Sequence, residues 1–321
     1  MNYLSVQDLG KSYGVQTLFK DLNFGIDQGQ KVALVARNGT GKTTILRALA
    51  GVESADTGEI VYRKGIQVAF LKQESDFGDA KTVFEAIYES ENPILLAIRA
   101  YEAALLNPDD TDAFQKAFDQ MDRMEAWDYE VKVKTILFKL KLDDLQQEVS
   151  ILSGGQRKRL SLAKILIDQP DFLILDEPTN HLDLEMIEWL QEYLSKEQIT
   201  LLIVTHDRYF LDAICNEILE LEDGSLFRYK GNYTYYLEKK EERQATLQTN
   251  IDKAKNLYSK ELEWMRRQPK ARGTKSKARI ESFYDVEKSA KKKIKNDKIQ
   301  LEVQMTRLGS KILELHKVSK A

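Results

Sequence analysis

A glycine-rich segment and a pair of adjacent acidic residues have the clearest chemical potential in this 321-residue sequence. The segment A-R-N-G-T-G-K-T-T spans residues 36–44, and its backbone N–H groups and Lys42 can bind phosphate oxygens. The Thr43 hydroxyl can ligate Mg²⁺. Asp176 can hold the same ion, and Glu177 can orient or deprotonate an attacking water. The predicted phosphate-binding residues are Ala36, Arg37, Asn38, Gly39, Thr40, Gly41, Lys42, Thr43 and Thr44.

Both groups follow apolar runs that predict buried β-strands. Residues 31–36 precede the glycine-rich segment, and residues 44–50 have the composition of a helix, which is the context that a P-loop requires. Residues 172–175 are all apolar and would carry the acidic pair to the carboxyl end of a central strand, where ligands bind in α/β sheets. Ala36 stands where the usual pattern has its first glycine, so a strained backbone there would be harder to adopt.

A second anion site is predicted at L-S-G-G-Q, residues 152–156. Here a serine hydroxyl and two glycine N–H groups precede an amphipathic helix. Two phosphate sites in one domain that cannot both reach one γ-phosphate predict a pocket shared between two domains. At this point the sequence resembles the ATP-binding cassette superfamily, in which this signature of one cassette covers the ATP bound by another. The signature residues are Ser153, Gly154, Gly155 and Gln156.

The resemblance implies ATP and Mg²⁺ as cofactors and gives roles to further positions. Tyr13, in K-S-Y-G, resembles the aromatic residue that stacks on adenine, with a core tyrosine as the alternative. Gln73 resembles the Q-loop glutamine near Mg²⁺ and the attacking water, and Asp183 the D-loop aspartate that contacts the opposite cassette. His206 resembles the switch histidine that senses the γ-phosphate. The implied catalytic residues are Glu177, His206 and Gln73, and the implied Mg²⁺ ligands are Thr43, Gln73 and Asp176.

The fold class that follows is α/β. We expect an ATP-binding cassette over residues 1–237, with a P-loop core, an antiparallel β subdomain and a helical signature subdomain over about 80–165. The stretches E-P-T-N-H-L-D and T-H-D-R-Y-F-L-D resemble the ABC-F branch, whose members are soluble twin-cassette ATPases that act on ribosomes. A short ABC-F arm near 95–130 and a plain helical subdomain both stay open.

The remaining sequence predicts a basic, antiparallel helical hairpin over residues 238–310. Apolar residues at helical spacing form two stripes, separated by Pro269 and Gly273. The resemblance implies a linker between two cassettes that extends toward tRNA or rRNA, most like that of Uup-type members. Residues 1–237 carry a net charge of −14, and residues 238–321 carry +11. The predicted nucleic-acid contacts are Arg266, Arg267, Lys270, Arg272, Lys275, Lys277 and Arg279.

The last residues, 311–321, resemble residues 2–12 and are interpreted as the first strand of a second cassette. We therefore expect an N-terminal fragment of a chain about twice as long. Its partner would be the second cassette of the same full-length protein, or a homodimer of the fragment.

Three functions stay open at this stage: a ribosome-associated ATPase, the nucleotide-binding subunit of a transporter, and a DNA-directed ATPase. Phosphate contacts alone do not separate RNA from DNA, and a solvated helix tip is the alternative for the basic run. The sequence lacks a long apolar run and a signal peptide, so we expect a cytoplasmic protein without a membrane partner. The single cysteine, Cys215, predicts a buried thiol.

Overall fold

The computed structural model describes residues 1–71, 77–90, 92–105, 109–222, 224–266 and 277–291. It divides into two compact units, Met1–Lys239 and Lys240–Ala321. The strands are β1 (Asn2–Tyr13), β2 (Gln16–Asp27), β3 (Lys31–Ala36), β4 (Thr57–Tyr62), β5 (Val68–Leu71), β6 (Phe172–Asp176), β7 (Thr200–Val204), β8 (Glu217–Glu222) and β9 (Ser225–Lys230). The helices are α1 (Lys42–Leu49), α2 (Val83–Tyr88), α3 (Pro93–Leu105), α4 (Thr111–Arg123), α5 (Trp127–Lys139), α6 (Gly154–Asp168), α7 (Leu184–Lys196), α8 (Arg208–Ile214), α9 (Tyr233–Arg266) and α10 (Lys277–Ala290).

The first unit contains two sheets. Strands β2, β1 and β4 form an antiparallel sheet in that order, as the sequence predicts for the β subdomain. The larger sheet has the order β5-β6-β7-β3-β8-β9 and is parallel except for β9, which pairs antiparallel with β8. A parallel sheet is covered on both faces, so β6 and β7 are buried at every position.

Two apolar clusters bury these sheets. One joins the antiparallel sheet and α1 to one face of the larger sheet, through residues such as Leu4, Leu46 and Phe172. The other joins the opposite face to the helices between β5 and β6, through residues such as Leu160 and Leu173. The α/β fold expected from the sequence is therefore confirmed.

The strand order of the larger sheet decides where the chemistry lies. Strands β6, β7 and β3 are neighbours, and they run parallel. Their carboxyl ends therefore share one edge, where β3 ends at Ala36, β6 at Asp176 and β7 at Val204. This edge carries the glycine-rich segment and the acidic pair, as the motifs predict.

Helices α2 to α6 lie between β5 and β6 in the chain. Within this helical region, Tyr101 packs edge-on against Trp127 with ring centroids 5.1 Å apart, and Phe118 lies 5.2 Å from the same indole. The stretch near 95–130 thus has an aromatic core of its own.

The second unit contains most of α9, together with α10. The rings of Tyr258 and Phe283 stack with centroids 5.4 Å apart, and Glu261 pairs with Arg279. Tyr258 precedes Glu261 on α9, whereas its partner Phe283 follows Arg279 on α10. The two helices therefore run antiparallel over this stretch. The first apolar stripe predicted from the sequence includes Leu247 and Ile251. Ile251 is buried, whereas Leu247 is 47% exposed.

Several expectations fall outside the described residues. These are the second apolar stripe beyond Ala290, the interpretation of residues 311–321, and four of the basic residues: Arg267, Lys270, Arg272 and Lys275. Among the described ranges, no helix is long and apolar enough to cross a membrane. Cys215 is buried and free, as the sequence predicts.

Candidate active site

A cleft of about 600 Å³ opens at the edge where β3, β6 and β7 end. It brings together side chains that are far apart in the sequence, from Tyr13 to His206. The predicted residues that line it are Tyr13, Asn38, Gly39, Gly41, Lys42, Thr43, Thr44, Asp176, Glu177 and His206. The P-loop, the acidic pair and the switch histidine therefore face one space.

The glycine-rich loop surrounds the ammonium group of Lys42. Nζ of Lys42 donates to the carbonyl oxygen of Ala36 at 2.9 Å and lies 3.3 Å from Oδ1 of Asn38. Ala36 belongs to β3 and is not among the residues with positive φ, so this position does not require glycine. Gly41 has φ 94°, and a Cβ there would lie 3.2 Å from the Leu18 side chain. Glycine is therefore needed at Gly41.

The other loop residues complete the cradle. Thr40 Oγ1 donates to the carbonyl oxygen of Arg37 at 2.7 Å, which closes a tight turn. Gly39 also has positive φ, at 78°, and nothing lies within 4 Å of a Cβ built there. Helix α1 begins directly after this loop, so its unpaired N–H groups point toward the cleft.

Asp176 ends β6 with only 3% of its surface exposed. Burial raises the pKa of Asp176, while a hydrogen bond from Thr43 and the charges of Lys158 and Lys42 act in the opposite direction. Burial likewise lowers the pKa of Lys42, and the charges of Glu177 and Asp176 oppose that shift. Each charge thus offsets part of the other's desolvation.

Glu177 is held by the strand that follows it in the sheet. Its backbone N–H donates to the carbonyl oxygen of Val204 at 2.8 Å, and its φ of 51° is left-handed. The backbone N–H of His206 donates to Oε2 of Glu177 at 3.3 Å, and Nε2 of His206 lies 3.5 Å from Oε1. A non-glycine residue with positive φ beside a cleft is typical of a functional position.

Tyr13 lies at the rim of the cleft and is 53% exposed. This exposure does not fit the alternative of a core tyrosine. Its hydroxyl donates to Glu53, and this hydrogen bond is the main cause that raises the pKa of Tyr13.

The signature residues are not among the residues that line the cleft. Ser153 caps α6, where its hydroxyl accepts from the N–H of Gln156 at 3.2 Å and the Gln156 side chain accepts from the N–H of Ser153. A Cβ at Gly155 would lie 3.6 Å from Cβ of His181, and nothing lies within 4 Å of one at Gly154. The two predicted anion sites are therefore separate in this chain.

Asp183 caps α7 by accepting from the N–H of Met186 at 3.0 Å. It also lies 2.6 Å from Nζ of Lys141, and this hydrogen bond lowers the pKa of Asp183. Gln73 lies outside the described residues. The preceding strand β5 ends at Leu71, which lines a small cavity beside Asp176 and Glu177.

The residues present fit a bound Mg²⁺. The Thr43 hydroxyl contacts the Asp176 carboxylate, and hard oxygen donors of this kind are the ligands that Mg²⁺ prefers. A bound Mg²⁺ would neutralise phosphate charge in this cleft. Lys42 adds a fixed positive charge to the same wall.

Some residues of the site were missed at the sequence level. Leu18, Asn180 and Val204 also line the cleft, and Lys158 of α6 lies in the small cavity beside the acidic pair. Asn180 is part of the quoted E-P-T-N-H-L-D stretch, so its position after the acidic pair was a usable signal. Leu18 and Lys158 have no signal in the sequence, because only tertiary packing brings β2 and α6 to this edge.

A model of the family described as "ABC transporter" matches residues 19–180, which span the P-loop, the signature and the acidic pair. The chain belongs to the ABC transporter family. It is an ATP-binding cassette of that family. A further ABC transporter model matches residues 219–302, which include the whole basic run at 266–279.

Relatives of this cassette match over nearly its whole length. The chain is 43% identical, over 99% of its length and 52% of the relative's, to the "Uncharacterized ABC transporter ATP-binding protein YfmR" of Bacillus subtilis (strain 168). It is 34% identical to the "Energy-dependent translational throttle protein EttA" of Mycobacterium tuberculosis (strain CDC 1551 / Oshkosh), over 98% of this chain and 58% of that protein. The chain thus spans about half the length of these curated relatives.

A solved structure titled "Structure of ATP binding subunit of ABC transporter" matches the cassette fold with a TM-score of 0.54 and 22% sequence identity. The match covers 71% of this chain and 90% of that structure. At this identity, the likeness supports the fold alone.

Proposed function

We propose that this cassette binds ATP with Mg²⁺ and hydrolyses it to ADP and phosphate. The observation that carries the proposal is the convergence of Lys42, Thr43, Asp176, Glu177 and His206 on one cleft. This combination provides phosphate binding, metal ligands and a carboxylate next to a histidine.

Each residue has a role that follows from its position. Lys42 and the loop N–H groups bind the phosphates, and Thr43 and Asp176 hold Mg²⁺. Glu177 accepts a proton from the attacking water or orients that water, and His206 keeps the carboxylate in place through two contacts. Gln73 keeps its predicted role next to Mg²⁺ and the water.

Removal of Lys42 tests phosphate binding. Lys42→Ala should weaken ATP binding about 10- to 100-fold, because hydrogen bonds to charged groups are the strong ones. Isothermal titration calorimetry measures the dissociation constant, and Lys64→Ala, which alters an exposed lysine, is the matched control. Unchanged affinity in Lys42→Ala would contradict phosphate binding at this loop.

We further propose that hydrolysis needs a composite site. The signature residues lie outside the cleft of their own chain and remain available to another cassette. A second cassette, from the same full-length protein or from another copy of this chain, would place its signature over the bound ATP. Asp183 would contact that opposite cassette.

The composite site makes the ATPase rate depend on protein concentration. For the 321-residue chain, we expect turnover per chain to rise with concentration, because two copies must pair. Steady-state turnover across a hundredfold dilution series measures this. A constant turnover per chain down to nanomolar concentration would refute the composite site for this chain.

We propose the ribosome as the partner, and with it a location in the cytoplasm. The ABC-F resemblance and the name of the EttA relatives, "Energy-dependent translational throttle", both support a role in translation. The basic second region, with +11 against −14 for residues 1–237, supports contact with a polyanion such as rRNA or tRNA.

One of the predicted contacts is engaged within the second unit. Arg279 donates to both carboxylate oxygens of Glu261, at 2.9 Å each, and its guanidinium lies 4.1 Å from the centroid of the Trp264 ring. The stretch 266–279 contains no acidic residue, from which the sequence predicts that its basic side chains have no acidic partner; this is wrong for Arg279, which pairs with Glu261. The other predicted contacts remain proposals.

A charge variant that leaves Arg279 intact tests the ribosome proposal. Neutralising Lys270, Arg272, Lys275 and Lys277 should weaken co-sedimentation with ribosomes and flatten the salt dependence of log affinity by about 3. The control neutralises four exposed basic residues of the first unit: Lys64, Lys116, Arg123 and Lys230.

Binding of the same charge variant to branched duplex DNA is measured alongside ribosome binding. This measurement distinguishes a ribosome-associated ATPase from a DNA-directed ATPase. Loss of DNA binding with unchanged ribosome binding would favour the DNA-directed ATPase. If the variant binds both ribosomes and DNA as the parent chain does, the basic run is a solvated turn. The nucleotide-binding subunit of a transporter would then be the alternative function.

A further inference from the structure

Charged side chains surround Tyr13 at the rim of the cleft. The Tyr13 hydroxyl donates to Oε1 of Glu53, and Nζ of Lys11 lies 5.7 Å from the centroid of the Tyr13 ring. Nζ of Lys11 also lies 3.6 Å from Oε1 of Glu53 and 3.1 Å from Oδ1 of Asp56. Glu53 therefore fixes the Tyr13 hydroxyl, and Lys11 contacts one face of the ring.

Backbone contacts fix this network in place. Nζ of Lys11 donates to the carbonyl oxygen of Ser54 at 2.7 Å, and the N–H of Ser12 donates to Oδ2 of Asp56 at 2.8 Å. The N–H of Asp56 donates in turn to the carbonyl oxygen of Gly10 at 2.9 Å. The side chain of Lys11 is only 11% exposed, so these contacts are better ordered than those of an ordinary surface pair.

The same network is attached to the phosphate-binding helix. The N–H of Glu53 donates to the carbonyl oxygen of Arg47, in the last turn of α1, at 3.2 Å. The Thr44 side chain, in the first turn of that helix, also bonds to Tyr13. The position of the Tyr13 ring is therefore set relative to the loop that holds Lys42.

We propose that Glu53 and Lys11 are positioning residues, which hold the Tyr13 ring so that its free face stacks on the base of the nucleotide. The inference rests on the proposed function, because it requires ATP in the cleft. Lys11 lies over one face of the ring. Because Tyr13 is 53% exposed and lines the cleft, ring surface remains for the base. An aromatic ring that is already ordered loses less conformational freedom on binding, so the network increases the share of affinity that the base supplies.

Comparing two ligands, one with a base and one without, isolates the part of the binding affinity that the base supplies. The dissociation constants of ATP and of inorganic tripolyphosphate, both with Mg²⁺, are measured for the parent chain and for Tyr13→Phe, Glu53→Ala and Lys11→Met. Tyr13→Phe keeps the ring and removes only the hydroxyl. We expect each variant to weaken ATP binding about three- to tenfold and to leave tripolyphosphate binding unchanged.

The matched control is Glu59→Ala, which removes an exposed glutamate of β4 and should change neither constant. Thermal melting of each variant checks that it is folded. Variants that bind ATP as tightly as the parent chain would overturn the inference. Equal weakening of both ligands would overturn it too, because the network would then support the phosphate loop and not the base.

The dissociation constants of the parent chain for ATP and tripolyphosphate distinguish failure of this inference from failure of the proposed function. A parent chain that binds tripolyphosphate as tightly as ATP has no base site, which overturns the inference and leaves phosphate binding intact. A parent chain that binds neither ligand overturns the proposed function and this inference together.

Discussion

Glu177 and His206 contact each other through two pairs of atoms. The backbone N–H of His206 donates to Oε2 of Glu177 at 3.3 Å, while Nε2 of His206 lies 3.5 Å from Oε1. Neighbouring strands β6 and β7 bring them together, because each residue follows the end of one strand. The side chain of Glu177 is 14% exposed and that of His206 is 68% exposed, so the histidine is the more accessible partner.

Loss of the imidazole should slow hydrolysis without loss of binding. His206→Gln keeps the backbone N–H that donates to Glu177 and removes the second contact. We expect the rate of ATP hydrolysis to fall by about 10², the lower end for a misplaced general base, with an unchanged ATP dissociation constant. Tyr209→Ala, which alters an 89% exposed side chain three residues after His206, is the control. A parental rate in His206→Gln would contradict a role for the pair.

Gly41 should be the glycine of the loop least tolerant of a side chain. Gly41→Ala combines a positive φ with a Cβ 3.2 Å from Leu18, whereas Gly65→Ala meets a similar φ of 83° and open space. Both changes should lower the free energy of unfolding by about 1–2 kcal/mol through the backbone. The contact should add about 1–3 kcal/mol at Gly41. Urea denaturation without nucleotide measures the difference, and equal losses would contradict the packing argument.

The start of α9 should depend on a buried carboxylate of β8. Glu220 is 2% exposed and accepts from the hydroxyls of Tyr236 at 2.8 Å and Tyr229 at 3.2 Å. Tyr236→Phe should therefore cost about 1–3 kcal/mol of unfolding free energy, because a buried acceptor loses a donor. Urea denaturation measures this, with Tyr209→Phe as the exposed control. A cost below about 0.5 kcal/mol would show that this bond is not needed.

The free thiol should report on unfolding. Burial raises the pKa of Cys215 from 9.0 to about 12, which disfavours the reactive thiolate in the folded chain. The raised pKa contributes stability that is fully present below the unfolded value and is lost as the pH rises toward 12. At pH 8 we expect almost no iodoacetamide labelling of the native chain and rapid labelling in urea. Mass spectrometry measures the label, and rapid native labelling would indicate local opening near α8.

The sequence predicted the parts of this molecule that depend on local patterns. The strand at residues 31–36, the all-apolar strand before Asp176 and the helix after the P-loop are confirmed, because short apolar runs and glycine loops have local physical causes. The effect of Ala36 was harder to foresee, since only its observed extended backbone shows that alanine is tolerated there.

Contacts between distant segments could not be predicted in this way. The salt bridge of Arg279 with Glu261 depends on how two helices pair, and the contacts of Tyr13 with Glu53 depend on how β1 meets the end of α1. Neither distance follows from spacing in the sequence. Composition gave the charge of the basic run but not which of its members is paired.

Single-turnover ATP hydrolysis by Glu177→Gln, with ATP binding measured on the same sample, is the decisive test of the catalytic role proposed for Glu177. A positioned general base supplies about 10²–10⁴ in rate, so hydrolysis should slow by that factor while the ATP dissociation constant stays as in the parent chain. Glu188→Gln, an exposed glutamate of α7, should match the parent in both. Hydrolysis at the parental rate in Glu177→Gln, or equal loss of binding and hydrolysis, would contradict the role assigned to this carboxylate.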